Sequence, residues 1–281
     1  MQNTATLKSP KPQIPNPAAA VAPTYSTPCT FAMRSDRGRV RHINQDACAA
    51  LPEHGAFVVC DGVGGAAGGE VASHFASKTF LNSLKQAASA APDSPSAPAP
   101  NGAIDTPEAR LRHSIAAANQ AVFERSQKLR VLRGMATTLV GALWESSTLW
   151  IAHVGDSRAY RFREGALELL TQDHSLVEEQ LRAGLITTAQ AEASPIRNVI
   201  TRAIGSEPDV QADIAAHTAQ PGDLFLLTSD GLTRELADLD ISRILARTAS
   251  PNLESACQTL IDAANSRGGR DNITVLLLAC P

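Results

Sequence analysis

The stretch Ala56-Phe-Val-Val-Cys-Asp-Gly-Val-Gly-Gly65 is an apolar run that ends on an acid and is followed by glycines. Five consecutive apolar residues bounded by turn-forming residues are typical of a buried strand. Glycine beside the acid lets the backbone approach closely, so that a carbonyl oxygen can join a ligand shell there. A single Asp-Gly pair is usually only a turn, so only the recurrence of this pattern along the chain would indicate a site.

The pattern does recur at the ends of other predicted strands. Acids stand at equivalent places, often beside glycine: Asp46, Asp156, Asp230 and Asp271. Because a sheet brings strand ends together, we expect these carboxylates and Asp61 to converge on one rim. Clustered carboxylates repel one another unless cations neutralise them. Oxygen ligands without a Cys/His cluster suit the hard ions Mg²⁺ and Mn²⁺.

Composition and charge argue against several classes of protein. The chain has 281 residues, 43% of them apolar, and a net charge of -3 without a basic stripe, so nucleic acid is not an expected partner. Its 5 cysteines have no C-x-x-C spacing, which argues against a disulfide framework or a zinc site and favours a reducing compartment. No segment approaches roughly 18 apolar residues, and the N-terminus lacks the pattern of a signal peptide. We therefore expect a cytoplasmic protein that does not enter a membrane.

Low-complexity segments suggest how the chain is organised. Residues 1–28 are rich in proline and alanine, and we expect them to form a disordered tail. Residues 86–105 are expected to form a disordered surface loop. One folded domain is expected over residues 29–281, and within it residues 172–205 form a polar, helix-prone insertion.

Between these segments, strand-like and helix-like hydrophobic periods alternate. Short strands are predicted over residues 29–34, 47–51, 56–60, 138–144, 148–154, 158–163, 223–228 and 273–279. Helices are predicted over residues 70–84, after Thr106 as N-cap with Pro107 in the first turn, and over residues 253–264. The segment Glu145-Ser-Ser147 should close a hairpin. Antiparallel strands with paired helices predict an α+β layered domain, without a unique strand order.

The histidines show no pattern of metal ligands. His153 lies inside an apolar run and is predicted to pack in the core, whereas His42, His54 and His174 are predicted to face solvent. No histidine is therefore assigned to the site.

Six short motifs follow one another along the chain. They are Ser35-Asp-Arg-Gly-Arg-Val-Arg-His-Ile-Asn-Gln-Asp46, Val59-Cys-Asp-Gly-Val-Gly-Gly65, Gly134-Met-Ala-Thr-Thr138, Val154-Gly-Asp-Ser-Arg158, Leu227-Thr-Ser-Asp-Gly231 and Arg270-Asp-Asn-Ile273. Together they resemble the protein phosphatase 2C family, in its compact bacterial form. One such motif would be weak evidence, but six in the order and spacing of the family are specific. The resemblance covers the chain from about residue 29 to its end.

The resemblance implies a fold. In the family, a central antiparallel β-sandwich is flanked by helix pairs, and the metals lie in a cleft at one end of the sandwich. Residues 29–281 would form this phosphatase 2C-like catalytic domain, and residues 172–205 would be the flap beside the cleft.

The resemblance also implies metal ligands. Asp61 would bridge two Mn²⁺ or Mg²⁺ ions, of which Asp230 and Asp271 would complete one. The carbonyl oxygen of Gly62 would reach the other ion, and Asp156 would share a third, weaker ion with Asp230. The full set of implied metal ligands is Asp46, Asp61, Gly62, Asp156, Asp230 and Asp271, with Asp46 acting directly or through water.

The implied function is that of a metal-dependent protein serine/threonine phosphatase. Two bridged ions lower the pKa of the water between them, and this water attacks phosphorus in line. Asp61 and Asp230 would be catalytic, and Arg41 would bind the phosphoryl oxygens of the substrate through its planar fork. The implied partners are phosphorylated proteins, among them a cognate Ser/Thr kinase and its substrates. We expect a monomer.

Two other functions stay open. Gln45 stands where many members of the family carry glutamate, and the loss of one charge favours weaker binding of the second ion. This leaves a non-catalytic regulator that binds phosphoproteins through the same cleft. The other alternative is a different metallohydrolase such as a nucleotide phosphatase, although the chain lacks a glycine-rich nucleotide loop.

Overall fold

The computed structural model describes residues 29–64, 68–89, 106–247 and 252–279. The expected disordered tail (residues 1–28) and residues 90–105 of the expected loop lie outside the described residues. The strands are β1 (Thr30–Asp36), β2 (Asp46–Leu51), β3 (Ala56–Val63), β4 (Ala136–Thr137), β5 (Leu139–Glu145), β6 (Thr148–Val154), β7 (Arg158–Arg163), β8 (Ala166–Leu169), β9 (Asp213–Thr218), β10 (Leu224–Thr228) and β11 (Ile273–Ala279). The helices are α1 (Gly68–Ser89), α2 (Pro107–Lys128), α3 (Leu176–Arg182), α4 (Thr188–Glu192), α5 (Asp230–Thr233), α6 (Asp238–Ala246) and α7 (Leu253–Ser266).

Two antiparallel sheets pack face to face. One has the strand order β1-β11-β10-β7-β8, and the other has the order β2-β3-β5-β6-β9 with β4 added to β3. Side chains of a strand alternate between its two faces. In β3, Phe57 and Val59 pack between the sheets with Phe225, whereas Val58 and Cys60 belong to the cluster beneath α1 and α2.

Helices cover the outer face of each sheet. The helices α1 and α2 pack on the sheet that contains β3, through side chains such as Phe80 and Ile115. The helices α6 and α7 pack on the other sheet through Ile241 and Leu260. The predicted α+β architecture, a central antiparallel β-sandwich flanked by helix pairs, is confirmed.

Two local predictions are confirmed in detail. Thr106 caps α2, because its hydroxyl oxygen accepts a hydrogen bond of 3.1 Å from the backbone N–H of Ala109. The strands β5 and β6 form the predicted hairpin, and its turn residues Ser146 and Ser147 have φ values of 50° and 62°. Two consecutive residues in the left-handed region give the turn the twist that a tight hairpin requires.

Some elements differ from the prediction. The helix α1 continues to Ser89, so the first four residues of the expected loop at 86–105 are helical. Ala87 and Ala88 are strong helix formers, and no helix breaker follows before Pro92. The strand β9 was not predicted, because it is an edge strand with two alanines whose partner, β6, is distant in sequence.

The segment 172–205 lies beside one end of the sandwich. It contains α3 and α4; an antiparallel bridge from Ser175 to Ile200 joins its two ends, and a second bridge, from Thr137 to Ile204, ties it to the rest of the domain. At its start, the guanidinium of Arg158 donates three hydrogen bonds, of 2.9, 3.2 and 2.7 Å, to the carboxylate oxygens of Asp173. Across the described parts of the chain, no helix has the length and apolar content that a membrane crossing needs.

Candidate metal centre

A cleft of about 310 Å³ opens at one end of the sandwich. Four of the five predicted acids line it, namely Asp61, Asp156, Asp230 and Asp271. The fifth, Asp46, lies directly opposite Asp61 in the pairing of β2 with β3.

Each acid reaches this end of the sandwich because of where its strand stops. Asp61 is near the end of β3, and Asp156 is in the turn between β6 and β7. Asp230 is the first residue after Ser229, which follows β10, and Asp271 comes two residues before β11. The structure therefore brings together acids from both sheets.

Asp46 is held by hydroxyl groups of the opposite sheet. The hydroxyls of Ser229 and Thr274 each donate a hydrogen bond of 2.7 Å to the same oxygen of Asp46, Oδ2. The other oxygen, Oδ1, is buried and has no hydrogen-bond partner. Burial raises the pKa of Asp46 from 3.8 to about 7, and the two hydroxyl donors only partly oppose that rise.

The other buried acids of the cleft also hold protons more tightly than usual. Burial, and then repulsion from Asp230, raises the pKa of Asp156 from 3.8 to about 8. Burial followed by repulsion from Asp46 raises the pKa of Asp61 well above its ordinary value. Burial also raises the pKa of Asp230, against the opposing charge of Arg234. The cluster therefore carries more negative charge than its surroundings stabilise.

Two arginines supply positive charge. The guanidinium of Arg234 makes ion pairs with Asp230, with Asp271 at 3.2 Å and with Asp156 at 3.8 Å. The guanidinium of Arg41, whose side chain is 50% exposed, lies 2.8 Å from the same Asp271 oxygen, Oδ2. Arg41 was predicted from the sequence and Arg234 was not. The only available signal for Arg234 was its position four residues after Asp230, on the same face of a helical turn.

The backbone of Asp61 is held by the two threonines of the Gly134–Thr138 motif. The hydroxyl of Thr137 donates a hydrogen bond of 2.7 Å to the carbonyl oxygen of Asp61, and the N–H of Thr138 donates one of 2.8 Å to the same oxygen. The N–H of Asp61 donates a hydrogen bond of 2.9 Å to the Thr138 hydroxyl oxygen. These contacts fix the position of the acid, a positioning role that the motif alone did not disclose.

Gly62 lies in a narrow gap between β3, the segment before β2 and the start of α1. Its N–H donates a hydrogen bond of 3.1 Å to the carbonyl oxygen of Gln45. A Cβ at Gly62 would lie 2.1 Å from the carbonyl oxygen of Gly69 and 2.5 Å from that of Gln45. The side chain of Gln45 is itself packed against Gly69, because a Cβ there would lie 2.8 Å from its Nε2. The predicted backbone ligand and the Gln45 side chain therefore share one tightly packed corner of the cleft.

The loop that carries Arg41 is held by Asn272. Its side-chain N–H₂ donates hydrogen bonds of 3.0 Å to the carbonyl oxygen of Arg37 and 2.9 Å to that of Ile43. Its side-chain oxygen accepts a hydrogen bond of 2.8 Å from the N–H of Gln45. The Arg270–Ile273 motif therefore positions the loop that carries Arg41 as well as supplying Asp271.

The chemistry of the donor set fits divalent ions. Within residues 29–64, 68–89, 106–247 and 252–279, no three Asp, Glu, His or Cys side chains are already grouped so as to hold a metal ion. The oxygens Oδ1 of Asp46 and of Asp230 are nevertheless buried without hydrogen-bond partners. Unpartnered carboxylate oxygens in a cluster with raised pKa values are what a hard cation would satisfy.

The prediction for His174 is wrong. This side chain is 5% exposed, and its ring lies against that of His153, with 4.6 Å between the ring centroids. Its Nδ1 accepts a hydrogen bond of 3.1 Å from the N–H of Gly155, and its Nε2 lies 3.2 Å from Asp213 Oδ2. His174 is buried because both ring nitrogens find partners, and it joins the start of segment 172–205 to the turn that carries Asp156.

The raised pKa values predict an unusual pH dependence of stability. In the unfolded chain, Asp46 and Asp156 lose their protons at the ordinary pKa of 3.8, whereas in the folded protein they keep them up to about pH 7 and about pH 8. The stability that these two carboxyl groups contribute is therefore complete below about pH 4, and it is lost as the pH rises through about 7 and 8. In EDTA, the unfolding temperature should therefore fall as the pH is raised from about 5 to about 9. Mn²⁺ should suppress the fall, and Asp156→Asn should reduce it. A level or rising unfolding temperature in EDTA would contradict the prediction.

Comparison with known proteins finds relatives of this chain. The family model of protein phosphatase 2C matches residues 36–267. The serine/threonine phosphatase stp of Listeria monocytogenes serovar 1/2a is 36% identical over 248 residues, which are 87% of this chain and 93% of that protein.

Solved structures of similar proteins share the fold. The serine/threonine phosphatase of S. agalactiae has a TM-score of 0.78 and 32% identity, over 90% of this chain and 100% of that one. The catalytic domain of the serine/threonine protein phosphatase PstP, solved in complex with two manganese ions, has a TM-score of 0.74 and 31% identity, over 89% of this chain and 97% of that one. Since the family model and these relatives span most of the chain, it belongs to the protein phosphatase 2C family.

Proposed function

We propose that the cleft hydrolyses phosphoserine and phosphothreonine in other proteins, with a water activated by two divalent ions. As a member of the protein phosphatase 2C family, the chain is a metal-dependent serine/threonine phosphatase, and a relative solved with two manganese ions supports Mn²⁺ or Mg²⁺ as its cofactor. One observation carries the assignment of residues: acids from both sheets line a single cleft.

The ligands that we propose are those that the family resemblance implies, and the arrangement of the acids supports them. Asp61 would hold both ions, Asp230 and Asp271 would help to hold one of them, and the carbonyl oxygen of Gly62 would help to hold the other. Asp46, which pairs with Asp61 across β2 and β3, would act through its unpartnered oxygen, directly or through a water. When bound, the two ions supply a water acidic enough to attack near neutral pH.

Arg41 is the residue that we propose for binding the phosphoryl group. Its guanidinium lies at the cleft with half of its side chain exposed, so a substrate can reach it. A planar fork binds two phosphate oxygens at once and stabilises the charge that spreads over them in phosphoryl transfer. Its present partner is Asp271, so an ion at Asp271 would compete with Arg41 for Oδ2 and leave the guanidinium to the substrate.

The segment 172–205 is proposed to be the flap of a catalytic domain that spans residues 29–281. Asn198 and Ile200 of this segment line the cleft, and Val199 between them is 46% exposed. A polypeptide substrate entering the cleft would therefore touch the flap. Phosphorylated proteins are the substrates that the family implies. We propose that a cognate Ser/Thr kinase and the substrates of that kinase are among them. We also propose that the phosphatase is a monomer and acts in the cytoplasm.

Hydrolysis of a phosphothreonine peptide tests the proposal. With Mn²⁺ we expect turnover, and with EDTA or in Asp230→Asn we expect the rate to fall by about a hundredfold or more, because each change removes ion-dependent stabilisation worth several kcal/mol. The matched control is Asp209→Asn, which removes the charge of an exposed aspartate and should leave the rate unchanged. Equal rates with Mn²⁺, with EDTA and in Asp230→Asn would refute the proposal.

The same assay separates the two alternatives. Faster hydrolysis of nucleotides than of phosphopeptides would instead support a nucleotide phosphatase. Phosphopeptide binding without turnover, in the absence of saturable Mn²⁺ binding by calorimetry, would support a non-catalytic regulator.

A further inference from the structure

Arg234 occupies the centre of the acidic cluster. It follows α5 directly, and its backbone N–H donates a hydrogen bond of 2.8 Å to the carbonyl oxygen of Asp230, so both side chains lie on one face of the turn. Its guanidinium contacts Asp230 and lies 3.2 Å from an oxygen of Asp271 and 3.8 Å from an oxygen of Asp156. The side chain is only 27% exposed, so the charge is held inside the cleft rather than in solvent.

The family resemblance assigns a third ion to Asp156 and Asp230, and the guanidinium of Arg234 makes ion pairs with both of these acids. We propose that the guanidinium of Arg234 takes the place of this third ion, so that the centre binds two divalent ions and carries its third cation as a side chain. The proposal rests on the two-ion function proposed above.

The physical chemistry of the side chain favours this role. Guanidinium stays protonated at every pH at which the protein is folded, so it cannot vacate the site by losing a proton. A divalent ion between Asp156 and Asp230 would have to approach a like charge that already contacts both carboxylates, in a partly buried site where solvent screens repulsion poorly.

Asp156 distinguishes this role from that of a general counter-charge. Asp271 is contacted by both arginines, and Asp230 has a second oxygen that is buried without a partner, so each can serve an ion as well as Arg234. For Asp156, by contrast, Arg234 is the only ion-pair partner among the residues that the structure describes. Removal of the guanidinium would leave this buried carboxylate available to a metal ion.

Counting bound ions tests the proposal. By calorimetry and by electron paramagnetic resonance of free Mn²⁺, we expect two ions per chain in the unchanged protein and three in Arg234→Met. We expect two in Arg234→Lys, which keeps the charge, and two again in the double variant Arg234→Met/Asp156→Asn. The matched control is Arg243→Met, which removes an exposed arginine that pairs only weakly with Asp240, at 3.7 Å.

A second variant keeps the test decisive if Arg234→Met does not fold. In the unchanged background, Asp156→Asn should leave the count at two, whereas a third ion held by Asp156 would make it fall from three to two. A count of three in the unchanged protein that falls in Asp156→Asn overturns the proposal, as does a count of two in a folded Arg234→Met.

A chain that binds no Mn²⁺ at all would overturn the two-ion function instead. The counter-charge role of Arg234 would then be decided in EDTA, where no ion takes part. There, Arg234→Met should lower the unfolding temperature more than Arg243→Met does, because Asp156, Asp230 and Asp271 lose the cation that they share. An effect no larger than that of Arg243→Met would overturn this role too.

Discussion

Replacing Asp61 by asparagine is expected to lower kcat toward a phosphothreonine peptide by about a thousandfold or more, which corresponds to about 4 kcal/mol of lost transition-state stabilisation. The side chain keeps its shape, and the backbone contacts with Thr137 and Thr138 remain. What disappears is the negative charge that we place between the two ions. The measurement is steady-state hydrolysis at saturating Mn²⁺, with calorimetry of Mn²⁺ binding in parallel.

The same substitution should stabilise the metal-free protein. Burial and repulsion from Asp46 make the charged form of Asp61 costly, so a neutral amide removes that cost. We therefore expect Asp61→Asn to lose activity while its unfolding temperature in EDTA at about pH 8 rises. Asp262→Asn, which changes an exposed aspartate of α7, should alter neither quantity. Activity within tenfold of the unchanged protein would exclude Asp61 as the bridging ligand.

Replacing Gly62 by alanine is expected to have a large effect on stability. The added Cβ would lie 2.1 Å from the carbonyl oxygen of Gly69 and 2.5 Å from that of Gln45, and both of these atoms belong to the backbone. Overpacking against backbone atoms, which can shift only together with their segments, should cost about 3 kcal/mol or more. The unfolding temperature should fall by roughly 8 °C in a domain of this size, and activity should fall with it because the start of α1 and Gln45 must shift. Thermal unfolding followed by circular dichroism measures the effect.

Gly165 provides the matched control for this substitution. Its φ is +84°, but a Cβ there would meet nothing within 4 Å. Gly165→Ala should therefore cost only the backbone strain of a left-handed residue, about 1 kcal/mol. Equal losses of stability in the two variants would show that crowding at Gly62 is not the cause.

Much of the fold followed from hydrophobic period and from the ends of the strands. Phe57 and Val59 alternate with Val58 and Cys60, which places β3 between a second sheet and a helical layer. The acids at the ends of such strands were expected to meet at one edge, and Asp61 and Asp230 do so. Local patterns could also place the hairpin turn and the Thr106 cap, because both depend on neighbouring residues.

What could not be predicted depends on contacts between residues that are distant in sequence. The burial of His174 results from partners at Gly155 and Asp213, and an isolated histidine in a polar segment gives no sign of either. The edge strand β9 takes its conformation from pairing with β6 rather than from its own alanine-containing sequence. Arg234 resembles a surface arginine until the turn after Asp230 directs it into the cleft.

Asp46 belongs to one sheet, and the two hydroxyl groups that it binds, those of Ser229 and Thr274, belong to the other. A single carboxylate is therefore a tether between the two layers as well as a neighbour of the chemistry. A metal ion or a proton that binds to this carboxylate must therefore also affect its hydrogen bonds to Ser229 and Thr274. The stiffness of the sandwich at this end and the chemical state of its cleft are thus coupled through one side chain.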